Sequence, residues 1–203
     1  MRRAAAFALL SAVPLLAAGC SSPSSHFYTL TATPAPAAAP VSAAPPVPAP
    51  SELAVSVGPV SIPGSVDRPQ FVVTTGPNQV RLDEFNRWAA PLQNDIARVV
   101  SENLTAMLGT PHVTVAPQGL TVPDLRVGID VQSFDMALGE AATLDAVWTV
   151  TRVRDAKSKT GRVTVREPAS GSYDALAAAH SRALARLSQD IAAGIREIGN
   201  SPP

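Results

Sequence analysis

The chain has 203 residues, room for one domain plus extras, and its 46% apolar content permits a real core. Formal net charge is zero and only 16% of residues are charged. That balance lacks the basic footprint of a nucleic-acid binder and the polybasic patch of an anionic-lipid binder. The single cysteine, Cys20, excludes a disulfide framework and any thiolate metal cluster.

The first twenty residues explain that cysteine. Arg2 and Arg3 form a short positive start. Ala4 to Ala17 is apolar, broken only by Ser11 and Pro14, and small residues then lead to Cys20. This is the layout of a secretory signal over 1–19, too short to cross a bilayer, which needs about 20 apolar residues. Its end, Ala-Ala-Gly-Cys, resembles the bacterial lipobox. In such proteins the cysteine sulfur accepts diacylglycerol, the leader is cut off and the cysteine becomes the acylated N-terminus, so Cys20 is the expected lipid attachment. Removing the leader leaves 14 basic against 16 acidic residues. Acyl chains anchor firmly, at about 0.8 kcal/mol per buried CH₂. Ser21 follows the cysteine where an aspartate would retain the protein in the inner membrane, and by analogy this implies sorting to the outer membrane.

Residues 20–51 read as a tether. From Thr31 to Ser51 it is almost wholly Ala, Pro, Thr, Ser and Val. Such a composition buries too little surface to offset its ordering entropy, and its prolines favour an extended chain of about 3.1 Å per residue. A spacer of that length would reach several tens of Å from the membrane. His26 to Leu30 is unlike its surroundings, and it is expected to dock on the domain as a short edge strand.

A domain follows over 52–200. Alternation predicts strands at Leu53–Val60, Gln70–Thr75 and Val80–Leu82. A helix is expected from about Ala90 to Leu108, with Pro91 in its first turn and Gly109 closing it. Asn103 lies in its apolar stripe and reads as a core-edge amide bonded to nearby backbone. Strands follow at His112–Val115, Leu125–Leu138, Thr143–Arg152 and Arg162–Arg166, the last two joined by a turn over Ala156–Gly161. The final helix spans about Tyr173–Ile198, with Leu176, Leu184, Leu187, Ile191, Ile195 and Ile198 as its core stripe. His180 reads as a partly buried structural histidine. The order β-β-β-α-β-β-β-β-α predicts an α+β two-layer domain: a mixed, mainly antiparallel sheet with two amphipathic helices packed on one face.

Chemistry is sparse. There is no G-x-S-x-G elbow, P-loop or H-E-x-x-H motif. His26, His112 and His180 are scattered without metal-ligand spacing, so neither a metal nor a cofactor is expected. Asp130 and Asp135, five apart on one strand, should point to opposite faces, with Asp145 opposing either. The reading is non-enzymatic. The densest unusual stretch runs from Val57 to Leu92. Its Asp67-Arg68-Pro69 turn, Asn86 and Trp88 are candidate partner contacts, Trp88 serving either as an interface anchor or as a plug over the core.

These pieces carry a resemblance. Phe27-Tyr28-Thr29-Leu30 follows the lipobox, and Val57-Gly58-Pro59-Val60 precedes Ile62-Pro63. Val66-Asp67-Arg68-Pro69-Gln70, Asn86 with Trp88, and Pro91-Leu92 come next. Arg98-Val99-Val100, Glu102-Asn103-Leu104, and the late Ala183-Leu184, Leu187-Ser188 and Asp190-Ile191-Ala192 complete it. Together they resemble the paraquat-inducible protein C family, auxiliary lipoproteins of ABC-type, MCE-linked transporters. The resemblance implies an outer-membrane lipoprotein that faces the periplasm and binds the periplasmic end of a tunnel-forming MCE protein. It implies transport of lipids or other hydrophobic molecules, support of envelope integrity, and a ring-shaped homo-oligomer. The alternative is a structural or assembly lipoprotein of another outer-membrane biogenesis complex.

Overall fold

The computed structural model describes residues 24–33, 52–117 and 122–200. The leader, Cys20 and the 34–51 stretch lie outside these described residues.

Among the described residues eight strands form one sheet. They are β1 (His26–Tyr28), β2 (Val55–Ser61), β3 (Gln70–Gly76), β4 (Gln79–Trp88), β5 (Val113–Val115), β6 (Leu125–Ala137), β7 (Ala141–Arg152) and β8 (Ser158–Pro168). Helices α1 (Leu92–Leu108) and α2 (Tyr173–Asn200) complete the fold. The architecture is the expected α+β arrangement of sheet and two helices. Strand β6 is its axis. One edge of β6 pairs antiparallel with β7, which pairs antiparallel with β8. Its other edge is shared: the first half pairs in parallel with β2, and Met136 near its end meets Val73 of β3. The sheet therefore forks, one arm running to β5 and the other through β4 to β1. Antiparallel pairing dominates because β6–β7–β8 is the longest ladder.

Alternation along β6 and β7 buries one face. Leu144, Ala146, Trp148 and Val150 all point into the core, as the sequence pattern requires. A bulge interrupts β6 between Val131 and Ser133. It shifts the alternation by one residue, so Asp130 and Asp135 both emerge on the exposed face rather than on opposite ones. Asp145 opposes Ser133, not either aspartate, and is held by Arg162 with N–O 2.5 Å. The β7–β8 turn is tighter than expected, and Gly161 lies within β8 opposite Trp148.

Trp148 sets the spacing between α2 and the sheet. A Cβ on Gly161 would stand 2.4 Å from its ring, and a Cβ on Gly194 of α2 would also stand 2.4 Å away. The indole is thus clamped between two glycines, and its Nε1–H donates to Asp190 at 2.7 Å. Near the other end of α2, Arg182 and Arg186 both reach Glu167 of β8. Burial alone would raise the Glu167 pKa, but the hydrogen bonds from Arg186 and Arg182 outweigh it and hold the carboxyl below the usual range. Helix α1 ends at Gly109 in the left-handed conformation, with its N–H on the Thr105 carbonyl. Pro91 caps the start of α1 rather than entering its first turn.

The two polar residues flagged in helix stripes join the helices to each other and to the sheet. Asn103 donates to Ser188 Oγ of α2 at 3.3 Å, a side-chain bond between helices where a backbone partner was expected. His180 is fully rather than partly buried, stacked 3.6 Å from Phe134 with the rings 6° from parallel. Neither ring nitrogen has a hydrogen-bond partner; the Asp135 backbone faces the ring but misses hydrogen-bond geometry.

Burial lowers the His180 pKa to about 3, the nearby Asp135 backbone opposing this weakly. The unfolded chain therefore binds a proton below about pH 6.5 that the folded chain refuses until about pH 3. Stability from this residue is complete above that range and falls as pH drops through it, by up to about 1.4 kcal/mol per pH unit. Urea unfolding between pH 7 and 4.5 should show this loss in wild type and a flatter profile in His180→Phe. Equal pH slopes would refute the assignment.

Candidate functional site at the docked N-terminal segment

The segment 26–31 is held by a dense set of specific polar contacts. It precedes the Ala/Pro stretch, yet it is part of the folded body. β1 pairs in parallel with the last three residues of β4, Phe27 facing Arg87 and Tyr28 facing Trp88. Tyr28 turns inward, with its ring centroid 5.0 Å from that of Phe71 and 6.3 Å from that of Tyr173. Its hydroxyl donates to Asn86 Oδ1 at 2.9 Å. Leu30 is fully buried.

The backbone beyond β1 has no strand to pair with, so side chains from α1 take that role. Leu30 N–H donates to Asp95 Oδ2 at 2.7 Å, and the Leu30 carbonyl accepts from Arg98 Nη2 at 2.6 Å. Thr29 Oγ1 also donates to Asp95 at 3.2 Å. Asp95 and Arg98 bind each other at 2.5 Å, one helical turn apart. They present an acceptor and a donor side by side, as a neighbouring strand would. Thr31 N–H then reaches Ser181 Oγ of α2 at 3.1 Å. Three elements, β4, α1 and α2, thus hold six residues.

A second carboxylate organises β4 beneath them. This strand runs from Gln79 to Trp88, well past the Val80–Leu82 expected, because a bulge over 84–86 breaks its alternation. Asp83 sits at that bulge. It accepts from the N–H groups of Phe85 and Asn86, from Asn86 Nδ2, and from Tyr173 Oη. Burial would raise its pKa, but the bonds from Tyr173, Asn86 and Phe85 prevail and lower it to about 2. The carboxylate is therefore charged at all physiological pH and works as an acceptor, not as a proton carrier.

The four candidate partner contacts separate. Asp67 and Arg68 are exposed on the turn that Val66 and Asp67 N–H close onto the Pro63 carbonyl. Trp88 is buried; its ring lies 4.3 Å from Phe71 and edge-on to Phe134 at 6.0 Å. It is the plug over the core, because β1 pairing turns it inward beside Tyr28. Asn86 is half-buried and committed to Tyr28 and Asp83. Neither is free to meet a partner. Asp95 was absent from the sequence reading. Its signal was present: a carboxylate three residues after Leu92 and four before Val99 sits on the core-facing stripe of α1.

Replacing Asp95 with alanine should cost about 1–3 kcal/mol in urea unfolding, because it orphans the Leu30 N–H and strips Arg98 of its buried partner. Asp95→Asn, which keeps one acceptor, should cost less. Equal stability of wild type and Asp95→Ala would show that the segment is held by other contacts.

Solved structures share this fold. An uncharacterized protein superposes with a TM-score of 0.64 and 19% identity, over 87% of this chain and 99% of its own. Protein XCC0632 from Xanthomonas campestris, of family DUF330, superposes with a TM-score of 0.60 and 22% identity, over 85% of this chain and 94% of its own. No curated protein matches. The family described as the ABC-type transport auxiliary lipoprotein component matches residues 28–192, a span that starts at Tyr28 in the docked segment and ends within α2. With most of its length matched, the chain belongs to the ABC-type transport auxiliary lipoprotein family.

Proposed function

We propose that this protein is a non-enzymatic outer-membrane lipoprotein subunit of an MCE-linked system that moves lipids or other hydrophobic molecules across the periplasm. Cys20 carries the acyl anchor, the 1–19 leader directs export, and the domain faces the periplasm. The family match carries the reading, and it includes the segment next to the anchor. The buried carboxylates support a role without catalysis. Asp83, Asp95 and Glu167 are each spent on backbone N–H groups, a tyrosine or arginines. They bind pieces of the fold together and act there as acceptors rather than as proton carriers.

In this reading the exposed Asp67–Arg68 turn borders the face that meets the periplasmic end of the MCE tunnel protein. Both side chains project from a turn stiffened by Pro63 and Pro69, so little entropy is lost on docking. Copies of the domain would assemble as a ring around the tunnel.

Capture from detergent-solubilised envelopes tests the proposal. Wild type should bring down an MCE-domain protein. Asp67→Ala/Arg68→Ala should lower that capture about tenfold, the scale of one interface anchor, with an unchanged melting temperature. Capture of a different outer-membrane complex, with no MCE protein, would instead support an assembly lipoprotein.

A further inference from the structure

We infer that the outer side of the β1–β4 edge is a membrane-contact surface, seated on the leaflet that holds the Cys20 anchor. The inference rests on the proposed acylation of Cys20. Its physical basis is the docking of the segment 26–31. Six peptide steps separate Cys20 from His26, a span of roughly 20 Å at full extension. Since β1 is fixed to the body by Asp95, Arg98 and Ser181, the domain cannot stand farther than that from the lipid surface at this edge. The Ala/Pro stretch adds nothing to the reach. It leaves the body after Thr33 and returns to it at Glu52, so it connects β1 to β2 instead of separating anchor from domain.

The surface nearest the anchor is also where apolar side chains are left uncovered. Among the described residues five large apolar side chains are exposed, and four of them lie on β1 and β4: Phe27 at 64%, Val80 at 57%, Leu82 at 40% and Phe85 at 43%. Tyr28 and Asp83 point toward α2, where both meet Tyr173, so their strand neighbours Phe27 and Leu82 project to the opposite side. Phe85 sits in the bulge between Leu82 and Arg87. A concentration of apolar groups of this kind marks a contact surface.

Charge identifies the lipid. On that side the charged neighbours Arg87 and Glu84 are paired with each other at 3.5 Å. A locally neutral rim around an aromatic and aliphatic centre suits shallow insertion into a zwitterionic leaflet, not attraction to anionic headgroups. The acyl chains on Cys20 supply the affinity, and the patch sets the tilt of the domain on the surface.

Depth measurement tests this directly. Acylated full-length Leu82→Cys and Val122→Cys would each carry a nitroxide label, Cys20 being blocked by its lipid, in zwitterionic vesicles of phosphatidylethanolamine with phosphatidylcholine. Val122 is exposed at 78% and lines a groove with Gly199, whereas the patch lies by Tyr173, some 40 Å away along α2 at 1.5 Å per residue. The label at 82 should shift from nickel-chelate toward oxygen accessibility on reconstitution, and the label at 122 should stay aqueous. Phe27→Cys gives the same readout if Leu82→Cys misfolds. Aqueous labels at 82 and 27 on acylated, vesicle-bound protein would overturn this surface and leave the anchor intact. Dipolar broadening between labels at 82 would overturn it too, by seating a second copy there. Absence of acyl mass on Cys20 would sink the anchor reading and the surface with it.

Discussion

The fold turns on how Asp95 and Arg98 bind the backbone of Leu30. A chain segment that enters a domain beside a helix, with no strand beyond it, presents an N–H and a C=O that need partners once buried. Here a carboxylate and a guanidinium one turn apart on α1 supply both. The charge pair would be a weak asset on an open surface. Its value comes from the buried side: Asp95 is almost inaccessible, and it satisfies an amide that water cannot reach. Once Leu30 is fixed, Tyr28 is placed over Phe71, Trp88 is sealed beneath, and the β1–β4 edge is complete.

The rest of the body gives this clamp a rigid base. Trp148, held between Gly161 and Gly194, fixes the distance from α2 to the sheet. Glu167 ties β8 to two arginines of α2, and Arg152 donates to the Ile198 carbonyl near the far end of that helix. Asn103 and Ser188 join the two helices through a buried polar bond. Since α1 and α2 both touch the docked segment, any shift of one helix against the other would be felt at Leu30 and Thr31. The docked segment is thus coupled to the core through both helices.

Much of this was legible in the amino acids. The strand–helix order, the stripe of α2 and the alternation of β7 follow from periodicity alone, because those elements bury one clean face. The docking of His26–Leu30 was legible too, since Phe27, Tyr28 and Leu30 are out of place in a tether of Ser, Thr, Ala and Pro. What escaped were features set by exceptions to periodicity. The bulge in β6 reversed the facing of Asp135, and the bulge at 84–86 concealed half of β4. Gly161 looked like a turn residue, whereas its lack of a side chain makes room for Trp148 from the adjacent strand. Trp88 was ambiguous because its direction depends on β1, a partner sixty residues away in sequence. Asp95 was missed because a single acid in an apolar stripe has no local partner to announce its role.

Hydrogen exchange at the Leu30 amide is the most direct test of the clamp. The expected result is exchange as slow as that of core amides in β6 and β7, because this N–H is buried and bonded to Asp95, with protection lost selectively in Asp95→Ala. Exchange as fast as that of an exposed terminal amide in the wild-type protein would contradict it. The segment would then be only loosely associated with the domain.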